Sequence, residues 1–139
     1  MTDTQRSRTS PRLGRDDLSA GAMATFLGGA GVGHFVQPEF FDAIVPKWMP
    51  GSARLWTLVS GVLELLCAAL LIPRRTRRRG AQLAFATFLG VWPANISAAV
   101  DGGMDGLDPP FDSALVAWLR VPFQLPLMAW AWIVAQASD

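Results

Sequence analysis

The sequence predicts an all-α membrane protein: a bundle of four transmembrane helices, with N-terminus and C-terminus cytoplasmic and a short interfacial helix after helix one. Three observations predict it. Charged residues make up 17% of the 139 residues, below the roughly one quarter usual for soluble domains. The charges fall in the N-terminal tail and the connections, leaving four apolar stretches of about 18 to 22 residues, the length that crosses a bilayer as helix. Those stretches also lack the polar face, repeating at helical period, of a water-soluble bundle.

Residues 1–17 are rich in Thr, Ser, Arg and Asp without apolar periodicity, so they read as a disordered cytoplasmic tail before a single domain over 18–136. The tail could pass for the start of a signal peptide. The apolar run after it is too long for a signal core and lacks a small-x-small cleavage site before a polar start, so it reads as a retained first span. Helix one is expected over 18–36, helix two over 54–72, helix three over 80–100 and helix four over 113–135. The connection 37–51 alternates Phe40, Phe41, Ile44, Val45 and Trp48 with Pro38, Pro46 and Pro50. It is too short to span, and predicts a brief interfacial helix around 39–45 against the outer mouth of the bundle.

Orientation follows from charge. Between helices two and three lies Pro73-Arg74-Arg75-Thr76-Arg77-Arg78-Arg79, read as a tight turn whose five arginines place it in the cytoplasm. Counting crossings puts Arg6, Arg8, Arg12 and Arg15 on the same side, and the connection carrying Asp101, Asp105, Asp108 and Asp112 outside. The chain is thus read as multi-pass, with its tail, the arginine turn and its C-terminus on the cytoplasmic side of the membrane. Trp48, Trp56 and Trp118 fall near the outer interface and Trp130 and Trp132 near the inner one, where indole rings are enriched. The arginine cluster also admits a reading as an anionic-lipid site, but topology is the simpler role.

Several function classes drop out. A formal net charge of +1, with the arginines beside spans, speaks against nucleic acid. The lone Cys67 supplies neither a disulfide nor a thiolate metal cluster. The outer aspartates lack the spacing of a calcium loop, so no metal site is expected, and no cofactor held by the chain's own ligands.

Polar groups inside hydrocarbon are costly and therefore mark candidate sites. Five qualify: His34 on helix one, Glu64 on helix two, Asn95 on helix three, and Arg120 with Gln124 on helix four. With a rise of 1.5 Å per residue, counted from a common outer boundary, His34 lies roughly 3 Å deep, Asn95 and Arg120 roughly 8 to 10 Å, and Glu64 and Gln124 roughly 15 Å. Helical spacing groups them with small residues: Ala20, Ala24 and Gly31 with His34; Thr57, Ser60 and Ala68 with Glu64; Ala117 and Ala131 with Arg120 and Gln124. An ion pair between Glu64 and Arg120 is expected, with Gln124 completing the carboxylate's hydrogen bonds and Asn95 holding the guanidinium or a ligand. Near the interface, His34 is as suited to a local hydrogen bond. Pro93, Pro122 and Pro126 each free a carbonyl one turn upstream, on Leu89, Trp118 and Pro122, which needs a partner in lipid. A polar network that only locks helix register is the bland alternative. The spacing Gly29-x-x-x-Gly33 matches a small-residue dimerisation pattern, implying a homo-oligomer, and packing within one bundle explains it equally well.

The ordered series Gly-x-Gly-His-Phe-x-x-Pro-Glu-Phe-Phe at 31–41, Ile-Val-Pro-x-Trp-Met-Pro at 44–50, Ser-Gly-Val-Leu-Glu-Leu-Leu at 60–66, Pro-Ala-Asn at 93–95 and Arg-Val-Pro-Phe-Gln at 120–124 resembles the DoxX-like family of small bacterial four-helix membrane proteins. The resemblance implies that fold, a redox or oxidative-stress setting, a bound quinone or lipid, and a membrane or soluble redox partner protein beside membrane lipid itself. It carries over the positions His34, Glu64, Asn95, Arg120 and Gln124, not a reaction. One histidine cannot supply two haem ligands, nor one cysteine a disulfide cycle, so the isolated chain is not expected to be an enzyme. The leading expectation is an accessory or ligand-binding subunit with a polar pocket in the outer half. The alternatives are a quinone-linked oxidoreductase subunit or isomerase using Glu64, a small proton-coupled transporter, and a purely structural partner of another protein.

Overall fold

The computed structural model describes residues 14–138. Their regular structure is helical: α1 (Arg15–Val36), α2 (Pro38–Asp42), α3 (Ala53–Leu71), α4 (Arg74–Val100) and α5 (Ala114–Gln136). By length and composition, α3, α4 and α5 can cross a membrane. The 22-residue α1 is of spanning length but is not in that apolar set.

Side-chain caps place two of the helix starts. The hydroxyls of Ser52 and Ser113 accept the backbone N–H groups of Leu55 and Val116, each satisfying a donor that the first turn leaves free. At α1 the Asp17 carboxylate accepts the Gly14 N–H at 3.1 Å, and this reach-back starts the helix at Arg15, three residues earlier than expected. The expected tail therefore loses residues 15–17 to α1, and its residues 1–13 lie outside the described ones.

The arginine turn needs a larger correction. Only Ile72 and Pro73 separate α3 from α4, and all five arginines lie in the first two turns of α4. Pro73 is the N-cap, where its missing donor costs nothing, and arginine is a good helix former. The helix start also serves the end of α3. Thr76 Oγ1 donates to the Leu70 carbonyl at 2.8 Å and Arg77 Nε to that of Leu71 at 3.1 Å, two of the acceptors a helix C-terminus leaves open.

The long helices pack in sequence order, α1 on α3, α3 on α4 and α4 on α5, with α2 against α3 and α1. One end of the bundle, here the hairpin end, carries the start of α1, the Ile72–Pro73 turn and the end of α5. The other, the loop end, carries residues 37–52 and 101–113. The buried apolar core lies towards the hairpin end, around Met23, Leu27, Cys67, Leu71, Ala84 and Val134. Across the bundle the burial pattern is inverted relative to a soluble protein. On α5, Leu119, Phe123 and Ile133 are 59, 60 and 62% exposed while Ala117 and Ala131 are 1 and 0% exposed. Small residues inside and large apolar ones outside is the arrangement of helices that meet lipid.

Two glycines set the α1–α3 crossing. A Cβ on Gly61 would stand 2.7 Å from His34 Cβ and 3.2 Å from the Gly31 carbonyl oxygen, and one on Gly31 would stand 3.1 Å from that of Gly61. Gly29, by contrast, meets nothing within 4 Å, so the bundle makes no use of that half of the Gly29-x-x-x-Gly33 pattern. At the hairpin end Asp17 is shared by Arg74 (Nε to Oδ1, 3.0 Å) and Arg77 (Nη1 to Oδ1, 2.8 Å), tying α1 to α4. Trp130 Nε1 donates to Ser19 Oγ at 2.9 Å, tying α5 to α1.

Two outcomes follow. Gly61→Ala should destabilise the bundle by about 1–3 kcal/mol through overpacking, outweighing the roughly 1 kcal/mol that alanine gains in a helix, whereas Gly29→Ala should be neutral or stabilising; thermal melting in detergent reads both. The two guanidiniums hold the Asp17 carboxyl well below the usual carboxylate range, so its contribution is fully present above the unfolded pKa of about 4 and is lost as pH falls through the lower folded value. The melting-temperature gap between wild type and Asp17→Asn should therefore be constant from pH 7 down to about pH 4 and shrink below it.

Candidate functional site

The polar side chains gather at the loop end, where a cavity of about 470 Å³ has His34, Glu64, Asn95, Arg120 and Gln124 all in its wall. Every long helix contributes, α1 through His34, α3 through Glu64, α4 through Asn95 and α5 through the other two. The rest of the wall is largely apolar, including Phe26, Leu63, Leu83 and Leu127.

Within this shared cavity the partners differ from those expected. Glu64 faces His34, with Oε2 3.3 Å from Nδ1 and side chains only 14 and 8% exposed. The same Nδ1 is 2.9 Å from the Ala30 carbonyl oxygen, one turn back on α1, so the local hydrogen bond expected of His34 is present. One N–H cannot serve both oxygens well, and Glu64 Oε2, fully enclosed, is left without a hydrogen-bond partner. The other face of the imidazole stacks on Phe41 of α2, centroids 3.6 Å apart and planes at 23°.

Arg120 does not reach Glu64, so the expected ion pair is corrected. Its Nη1 donates instead to the thioether sulfur of Met104 at 3.2 Å. Met104 belongs to the connection between α4 and α5 yet is 0% exposed. The chain folds back there through Gly102 and Gly103, whose φ values of 93° and 137° suit glycine. At Gly103 space forbids a side chain too, since a Cβ would fall 2.1 Å from the Asp112 carbonyl oxygen. Met104 is neither polar nor in a span; its signal in the sequence is an apolar side chain inside an otherwise acidic, glycine-rich loop.

Counted from one outer boundary His34 and Glu64 stand at different depths, yet their side chains meet, because the helices do not share that boundary. α1 ends beside α3 rather than level with its start, and α2 fills the step. Asp42 of α2 accepts from Thr57 Oγ1 at 2.6 Å and from Arg54 Nε at 2.9 Å, and Glu39 accepts from Arg54 Nη2 at 3.1 Å. These bonds pin α2 to the first turns of α3 and hold Phe41 over the imidazole. Phe40, one residue away, makes an edge contact with Phe111 of the opposite connection at 5.4 Å.

Gln124 and Asn95 also take other partners than the carboxylate and the guanidinium. Asn95 Nδ2 donates to Gln124 Oε1 at 3.4 Å, and Gln124 Nε2 to the Phe88 carbonyl at 2.7 Å. Trp92 Nε1 donates to the Val121 carbonyl at 3.0 Å. Phe88 and Val121 stand five residues before Pro93 and Pro126, not the four counted from the sequence. A proline wedged against the carbonyl one turn upstream bends its helix, and here the accessible acceptor is the next one back. α4 and α5 are thereby cross-linked at the cavity floor.

A family model described as a domain of unknown function (DUF8561) matches residues 23–135. The chain belongs to this family. The DUF8561 region contains every cavity residue named above and all five arginines of α4. No curated protein matches the chain, and no solved structure does.

Chemically, the DUF8561 cavity offers an enclosed carboxylate oxygen without a donor, a guanidinium whose acceptor is a thioether, and an imidazole fixed between a carboxylate and an aromatic ring. The arginines 74, 75, 77, 78 and 79 lie on the first two turns of α4, at the hairpin end and away from the cavity wall.

Proposed function

We propose that this DUF8561 chain is a membrane protein that holds an amphiphile in the loop-end cavity, its polar head between Glu64 and Arg120 and its apolar part along α1, α3 and α4. The unpartnered Glu64 Oε2, in one cavity with a guanidinium bound to sulfur, carries the reading. Buried polar atoms are nearly always hydrogen-bonded, and a thioether is a weak acceptor. A head that donates to the carboxylate and accepts from the guanidinium would satisfy both. The cavity volume of about 470 Å³ lies within the range of small-molecule sites.

The same reading makes α1 a fourth crossing, packed on α3, and puts the hairpin end in the cytoplasm of a bacterial cell. The arginines at that end and the aspartates at the other support this under the positive-inside rule. The DoxX-like motif series adds a quinone or lipid as the amphiphile and a redox partner protein as the setting. In a Cys67→Ser background, Asp108→Cys in whole cells should react with a membrane-impermeant maleimide and Ser138→Cys should react only after lysis. Labelling of both from outside would overturn the four-crossing topology.

A second reading is favoured by the His34–Glu64 contact of 3.3 Å, which sets an imidazole against a carboxylate inside a low-dielectric cavity, as acid/base chemistry or proton-coupled transport needs. Glu64→Gln and Arg120→Ala separate the readings. For a binding protein, mass spectrometry of mildly purified wild type should find a co-purifying amphiphile, reduced at least about tenfold, or some 1.4 kcal/mol, by either substitution. An acid/base role would show as ligand retained by Glu64→Gln, and a purely structural network as an empty wild-type bundle.

A further inference from the structure

The arginines of α4 are not equivalent. Arg74 and Arg77 are committed to Asp17, and Arg77 also to the carbonyls of Leu71 and Ile72. Arg75 and Arg79 are exposed and make no hydrogen bond or ion pair among the described residues. They stand four residues apart on one helix, hence on one face, about 6 Å apart along the axis. Like charges at this spacing repel and destabilise a helix. A topology signal needs positive charge at this end but no such alignment.

Positive charge outweighs negative at this end of the bundle. Arg75, with Arg74 and Arg77, lines a groove of about 550 Å³ between the starts of α1 and α4 and the end of α5, whose wall also carries Asp16, Asp17 and Ser138; Arg79 stands outside it, one turn along α4. Asp17 is already paired with two guanidiniums, and residues 14–79 at this end bring six arginines (15, 74, 75, 77, 78 and 79) against Asp16 and Asp17. The N-terminus of α4 adds its positive dipole end, and no side chain caps it. Arg79 lies one turn closer to the apolar part of α4 than Arg75, so a group held by both would stand where a helix leaves the hydrocarbon.

We propose that Arg75 and Arg79 clamp the phosphate of an anionic phospholipid at the hairpin end, a site separate from the amphiphile cavity and independent of what that cavity binds. Each guanidinium can present a forked pair of donors to phosphate oxygens, and the bound charge removes the repulsion between them. The attached chains would lie along the outer, exposed faces of α4 and its neighbours.

The test uses the full chain purified in detergent, with phosphatidylglycerol, phosphatidylcholine or inorganic phosphate added, read by native mass spectrometry and by melting temperature. Wild type should retain phosphatidylglycerol at least about tenfold over phosphatidylcholine, a difference of some 1.4 kcal/mol. Arg75→Gln/Arg79→Gln should erase that preference while melting at the same or a higher temperature without lipid, because its two charges no longer repel. Arg75→Lys/Arg79→Lys should keep part of the preference through charge alone. Equal retention of the two lipids by wild type would overturn the proposal, as would an unchanged preference in the glutamine variant or full displacement of the lipid by inorganic phosphate. Loss of the cavity amphiphile in Glu64→Gln, with the lipid preference intact, keeps this site distinct from the proposed function.

Discussion

The close crossing of α1 and α3 is the constraint on which the loop end depends. With no side chain at Gly31 or Gly61, each backbone comes close enough that the other's carbonyl oxygen lies about where a Cβ contact would begin. His34 and Glu64 follow those glycines by three residues on their helices and so share the contact face. The histidine then has the Ala30 carbonyl below, the carboxylate beside it and Phe41 above. Were the helices a side chain further apart, neither the imidazole nor the stacked ring would have its present neighbours, and α2 would have no step to fill.

The two ends of the bundle divide the work. At the hairpin end the interior is apolar and closely packed, and polar side chains around it fasten helix to helix: Asp17 with Arg74 and Arg77, Trp130 with Ser19. At the loop end the interior is polar and hollow, and the fastening passes to the connections, through Arg54 on Asp42 and Glu39 and through Met104 on Arg120. A cavity can persist there because its walls are held from above by α2 and from below by the Gln124–Phe88 and Trp92–Val121 bonds.

Much of this was readable from residue types. Apolar length located α3, α4 and α5, and the small-residue spacing on α1, α3 and α5 identified buried faces, as Ala20, Thr57 and Ala117 confirm by their burial. The five polar residues were readable as a group because hydrocarbon makes each of them costly, and they do line one cavity. Their pairings were not readable. Spacing along a helix gives the face but not the relative height of two helices, and that height was set by two glycines and by a five-residue helix folded into the mouth. The Arg120–Met104 contact depends on a loop path that only positive-φ glycines allow. Charge clusters resemble connections, so the α4 arginines look like a turn in the sequence, while their helix propensity and the proline before them point the other way.

The main helix contacts follow sequence order, which has a consequence for how such a chain is made. Synthesis and insertion proceed from the N-terminus, so α3 emerges to find α1 already in place, and Glu64 meets the glycine face and His34 before any later helix exists. The two-residue link then delivers α4 directly against α3. Arg120 is the last of the charged groups to enter, and Met104, sixteen residues ahead of it, emerges before it. Glu64 and Arg120 thus each have a neighbour synthesised first, His34 and Met104, so neither charge need face lipid alone while the chain is completed.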